Sequence, residues 1–133
     1  MRRLFYILGV FAVCCACSGV SREWQAATAA QQYYNYLAEG DAVRFLEGKI
    51  GIDSLPADYC EQLLKAIEQY RDDMQQKHNG LVSVLISDNT DQKADTTQAN
   101  AEVMAYLILC FGDSTREEIV VPMVEADGQW RMK

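Results

Sequence analysis

The amino-acid sequence predicts an α+β domain, with helices in its N-terminal half packed on a four-stranded antiparallel meander. Apolar residues recur at spacings of three and four as far as Met74, the pattern changes to period two after Gly80, and Asp127-Gly128 near the end is a two-residue hairpin signal. A chain of 133 residues, half of them apolar, can bury a core without metal or disulfide help, so one domain is expected.

The chain opens as a secretory signal. Met1-Arg2-Arg3 is a short basic stretch, and Leu4 to Val13 is an uncharged apolar run too short to span a bilayer. Cys14-Cys15-Ala16-Cys17-Ser18 follows and resembles a bacterial lipobox, in which a small residue precedes the cysteine that is lipidated and becomes the first residue of the mature chain. Ala16 before Cys17 fits that pattern; Cys14 stands where the pattern favours leucine, so processing at Cys15 or Cys14 stays open. Residues 1–16 are thus read as a lipoprotein signal peptide, Cys17 as the lipidation site, residues 17–24 as anchor and linker, and residues 25–133 as the domain. An uncleaved anchor is disfavoured by length, and an ordinary cleaved signal by the cysteine in place of a small-x-small ending. One acyl chain binds membranes marginally, whereas the two or three chains of a bacterial lipoprotein, palmitate among them, hold it stably. Ser18 to Glu23 reaches about 20 Å when extended, which keeps the domain close to its membrane.

From Ala26 to Glu39 the residues Ala26, Ala30, Tyr33, Tyr34 and Leu37 recur at helical spacing, and Gly40 suits the helix end. A second short helix, Ala42 to Glu47, starts at Asp41 as N-cap and stops near Gly48. Pro56 suits the start of a third helix, in which Tyr59, Leu63, Ile67, Tyr70 and Met74 follow at spacings of 4, 4, 3 and 4. That is the most strongly periodic segment, and Lys77-His78-Asn79-Gly80 closes it as a basic last turn before Asn-Gly.

The strands follow: Leu81 to Ser87, Ala101 to Phe111, Glu117 to Glu125, and Trp130 to Met132 after the Asp127-Gly128 turn. The polar stretch Asp88 to Asn100 joins the first pair and Gly112 to Thr115 the second. In the long strand Ala101, Val103, Ala105, Leu107, Leu109 and Phe111 are all apolar, so this odd face is expected to pack on the helices. The even face, with Met104, Tyr106, Ile108 and Cys110 beside Val120 and Val124 of the next strand, is too apolar to be simply wet. It permits a homodimer or a docking surface through the sheet; a twisted sheet covered by its own loops is the competing reading. Cys110 on that face points away from the helix carrying Cys60, which argues against their pairing, and both are expected to be buried, inert thiols.

Charge narrows the partners. Removal of Arg2 and Arg3 with the signal leaves 10 basic against 19 acidic residues, a net charge of −9, which repels nucleic acid and anionic lipid head groups. No nucleic-acid partner is expected.

The order of helix, short helix, long helix and four-stranded meander resembles the nuclear-transport-factor-2-like (cystatin-like) cone fold. More closely, the chain is similar to small bacterial lipoproteins of unknown function that carry this domain. The resemblance rests on Ala30 to Ala42, which form the first helix and its Gly-Asp exit, on Phe111-Gly112-Asp113-Ser114, and on the closing Val124 to Met132 with its turn, tryptophan and basic residue. Order and spacing carry the likeness, since each motif alone is a common device. It implies a curved sheet with helices across its concave side and a pocket between them, a fold that hosts isomerases, dehydratases, adaptors and binding domains.

Enzymes of this fold usually place a carboxylate or a His-Asp pair in the pocket, with a tyrosine as oxyanion donor. The counterparts are Tyr33, Tyr34, Asp41, Tyr70 and Tyr106, but Tyr33 and Tyr70 sit at core spacings, Asp41 caps a helix and Tyr106 falls on the outer face. No catalytic residue is assigned. His78, the one histidine, is read as capping free carbonyls of its helix. Asp88, Asp91 and Asp95 lack the glycine and terminal glutamate of a calcium loop, so neither metal nor cofactor is expected.

The sequence thus reads as a membrane-anchored envelope lipoprotein whose domain is a non-catalytic module for a small ligand or an envelope protein. Its ligand pocket is expected to be lined by Tyr33, Leu37, Tyr70, Leu107 and Trp130. A small-molecule isomerase or hydrolase using a pocket carboxylate, and a structural docking protein, are the alternatives. The outer membrane is preferred to the inner one, and the lack of an acidic run after Cys17 favours its periplasmic side.

Overall fold

The computed structural model describes residues 21–88, 90 and 102–133. The signal segment, Cys17, Asp91 and Asp95 lie outside these residues. Among the described residues no helix is long and apolar enough to cross a membrane.

Helix α1 spans Arg22–Glu39 and begins one turn before the apolar periodicity, because the Ser21 hydroxyl accepts from the Trp24 amide at 3.2 Å. It ends at Gly40, whose φ of 89° lets the Gly40 and Asp41 amides reach back to the carbonyls of Leu37 and Tyr36. Helix α2, Ala42–Glu47, starts on the Asp41 carboxylate, which accepts from the Arg44 amide. A single 3-10 turn, Ile52–Ser54, precedes helix α3, Ala57–His78, which is entered through Pro56 and left through Asn79 in the left-handed region.

The strands are β1 Leu81–Ile86, β2 Glu102–Phe111, β3 Arg116–Ala126 and β4 Gln129–Met132, paired antiparallel in the order β1-β2-β3-β4. Asp127 and Gly128, with φ of 53° and 76°, make the tight turn expected between β3 and β4. A bulge between Leu81 and Ser83 shifts the β1 register, yet Cys110 opposite Ser83 stays on the outer face, and Cys60 and Cys110 are both free. Both are half-buried rather than buried, because Cys60 lies on the poorly covered third helix and Cys110 on the outer sheet face.

The outer edge of β4 is closed by the chain leaving α2. The Met132 amide donates to the Gly48 carbonyl, and the Ile50 amide to the Met132 carbonyl, both at 2.7 Å. Gly48 must be glycine here, since a Cβ would lie 2.5 Å from the Tyr33 ring.

The core lies where the alternation predicts it. Val103, Ala105, Leu107, Leu109 and Phe111 of β2 are buried, and the paired Val121 and Met123 of β3 extend the same face. Ala26, Ala27 and Ala30 of α1 have no exposure, and these small side chains let the helix lie close against the sheet.

Candidate functional site

Helix α3 does not close down on the sheet as α1 does; Met74 is its one buried residue. A groove of about 420 Å³ remains between it and β3. Leu63, Ala66, Ile67 and Tyr70 form the α3 wall, and Val120, Val121 and Pro122 the β3 wall. Tyr34 of α1 and Phe45 and Leu46 of α2 contribute between them, and Lys49, Met132 and Lys133 also line it.

Strand lengths explain the opening. β4 pairs only with Met123 to Ala126, so among the described residues no strand flanks the first half of β3 on that side. Pro122 sits where the pairing stops; its carbonyl accepts from the Lys133 amide at 2.9 Å, and its missing N–H costs the sheet nothing there.

The groove is apolar with donors set into it. No aspartate or glutamate is among its lining residues. The Lys133 ammonium is paired with Glu102 at 2.9 Å, whereas Lys49 has no ion-pair partner among the described residues. Burial, and then the neighbouring Tyr70, push the Tyr34 hydroxyl up to about 12; its ring packs edge-on against Phe45 with centroids 5.1 Å apart. Burial followed by the Glu117 carboxylate also raises the Tyr70 pKa. Both phenols therefore stay neutral and able to donate at physiological pH.

The five residues expected to line a pocket fall in different places. Tyr70 does line the groove, but it is 41% exposed, so it is a rim residue and not the core residue its spacing suggests. Leu37 and Leu107 have no exposure and fill the core between α1 and β2. Tyr33 points away from the groove towards β4, donating its hydroxyl to the Trp130 carbonyl at 2.7 Å. Trp130 is buried under the Arg22 guanidinium, 5.3 Å from its ring centroid, beside a separate shallow hollow with Trp24 and Gln31. The physical reason is that α1 lies too close to β2 to leave room for a ligand; the space opens under α3 instead. Tyr34, adjacent to the chosen Tyr33, is the groove residue the periodicity did not separate from it. Lys49 carried no helical or strand pattern to mark it.

His78 also differs from expectation. It does not cap its own helix: its Nδ1 lies 3.0 Å from Asp113 Oδ2 and 3.3 Å from Thr115 Oγ1, and its ring stacks on Phe111 at 4.7 Å. The sharp turn at Asn79 and Gly80 carries the chain back across the hairpin, where the Asp113 amide donates to the His78 carbonyl. The pair joins α3 to the β2–β3 turn. Asp41 caps α2 as expected, and Tyr106 lies on the outer face. Among the described residues no group of three metal-ligating side chains occurs.

No protein-family model and no curated protein matches the sequence. Among solved structures, a crystal structure from Campylobacter jejuni, named as an NTF2-like transpeptidase, is similar with a TM-score of 0.56 and 10% sequence identity, covering 77% of this chain and 92% of that one. At that identity the likeness carries the fold and not the activity. The helices, the curled four-stranded antiparallel sheet and this likeness together give the chain the fold of a nuclear-transport-factor-2-like α+β cone.

Proposed function

We propose that the chain is a lipid-anchored protein of the bacterial cell envelope whose cone domain is a non-catalytic binding module, taking a small ligand in the groove between α3 and β3. The observation that carries this is the lining: an apolar trough with phenol and ammonium donors and no aspartate or glutamate side chain. A binder needs apolar area with a few oriented polar groups, whereas an isomerase of the cone type needs a base inside. The anchor rests on the apolar run of residues 4–13 and on Cys17, and the outer membrane on the residues after Cys17.

The full chain carrying Cys17→Ser, so that no lipid is added, is expected to bind the uncharged dye Nile red with a rise in fluorescence, and Ile67→Glu to abolish that rise while the protein stays folded. A rise unaffected by Ile67→Glu places the dye elsewhere and removes the support for the groove. The anchor is read separately: cells fed labelled palmitate are expected to label the chain, and Cys17→Ser to lose the label.

A second reading, docking through the outer sheet face, is favoured by Val120 and Leu85, which are 51% and 41% exposed. It predicts self-association in sedimentation experiments that Leu85→Glu reverses; a monomer at all concentrations speaks against a homodimer.

A further inference from the structure

Resting on the groove as a ligand site, we infer that its ligand is a free single-chain carboxylate amphiphile, with the acid group at Lys49 and the chain lying along α3 beneath Ile67 and Tyr70. The groove is short: Leu63 to Tyr70 covers about 10 Å of helix, and Val120 to Pro122 about 7 Å of strand. A volume of about 420 Å³ is near the small end of ligand sites. That suits one alkyl chain better than the two of a membrane phospholipid.

Charge gives the head group and its direction. The chain carries a net charge of −7, yet no aspartate or glutamate side chain lines this groove, and of its two lysines Lys133 is paired with Glu102 while Lys49 has no ion-pair partner among the described residues. Lys49 is half-buried, at the end where the loop after α2 bridges Met132. A carboxylate there gains a charge-assisted hydrogen bond in a partly desolvated place, and an amine meets repulsion. At the other end the Glu117 carboxylate interacts with Tyr70, so an acid group placed there is repelled. The two phenols add neutral donors along the wall without an opposing charge.

The test uses the full chain with Cys17→Ser and Nile red displacement at pH 7.5 by dodecanoate, dodecanol and dodecylamine, below their micelle concentrations. Dodecanoate is expected to displace the dye at about tenfold lower concentration than dodecanol, the size of one charge-assisted hydrogen bond, and dodecylamine to be the weakest. Lys49→Met is expected to bring the carboxylate-to-alcohol ratio within about twofold and Lys49→Arg to restore it; reading the ratio within each variant cancels any general loss of affinity. Equal displacement by acid and alcohol in the unsubstituted groove, or a preference that survives Lys49→Met, overturns the inference while leaving the groove as a binding site. Failure to take up Nile red at all overturns the binding reading itself, and this inference with it.

Discussion

Helices α1 and α3 are both long and amphipathic, but they are held differently. Four residues of α1, Ala26, Ala27, Ala30 and Leu37, have no solvent exposure, and the helix packs on every strand of the sheet. α3 is four residues longer, buries only Met74, and leaves Tyr59 and Tyr70 nearly half-exposed. Its hydrogen bonds to other elements gather at one end: Arg71 Nε donates to the Leu37 carbonyl at 2.9 Å, and His78, Asn79 and Gly80 meet the β2–β3 turn. Among the described residues no side-chain hydrogen bond ties residues 57–70 to another element. α1 builds the fold, while α3 packs on α2 and is tied by hydrogen bonds only at its C-terminal end among the described residues.

The largest effect expected from this difference is on stability. Leu107→Ala, beneath α1, deletes a fully buried side chain where the sheet has no room to collapse, and is expected to lose about 2–5 kcal/mol in denaturant unfolding. Ile67→Ala on α3 is expected to lose less than half of whatever Leu107→Ala loses, because the side chain already borders open space. Equal losses would mean that α3 belongs to the same core as α1. Gly112→Ala comes next. Its Cβ would lie 2.5 Å from the Asn79 backbone carbonyl, so the fixed end of α3 must shift, at a cost of about 1–3 kcal/mol. Hydrogen exchange is expected to show the loosening in residues 71–78, with α1 little changed.

Tyr34 sharpens the comparison from inside the groove. Burial holds its phenol neutral up to about pH 12, whereas an unfolded tyrosine ionises near 10. The folded chain therefore keeps a proton the unfolded chain loses, and stability falls as pH rises from about 10 towards 12. Tyr34→Phe is expected to flatten that part of the curve, by on the order of 2 kcal/mol at its upper end. An alkaline limb of unchanged slope would show that the hydroxyl is wetted in an open groove.

The fold was legible because each element announces itself locally. Asp41 starts α2, Gly40 ends α1, Asp127-Gly128 makes the last turn, and the odd residues of β2 are all apolar and all buried where described. The site was not, because periodicity reports that a face is covered, not by what. Tyr59 and Tyr70 repeat as regularly as any core, yet they are largely exposed, and Ile67 borders the groove while only partly packed against the core. What leaves them uncovered is that β4 pairs only with Met123 to Ala126, so among the described residues no strand lies beside the first half of β3, and their own spacing does not report that. Tyr33 and Tyr34 are adjacent in sequence and point about 100° apart around one helix, towards Trp130 and towards the groove, and no spacing rule chooses between them.

The smallest effect concerns the fixed end of α3. The Asp113 carboxylate is held down at about 2, first by the Thr115 hydroxyl and then by the Thr115 amide and His78, with partial desolvation opposing them. Its folded value lies below its ordinary 3.8, so whatever stability it adds is present above about pH 4 and is lost as pH falls towards 2. The pair lies at the protein surface, where salt screens it, so global unfolding is expected to register little. The readout is local: at neutral pH, exchange at residues 71–78 is expected to be slower than at residues 57–70. Asp113→Asn removes the ionisable partner of His78 and should narrow that gap at pH 7, while at pH 2.5 the unsubstituted chain should approach the variant. If the gap ignores both the substitution and the acid, the His78–Asp113 contact is incidental, and the backbone bonds of Gly80 and Gly112 alone hold the end of α3.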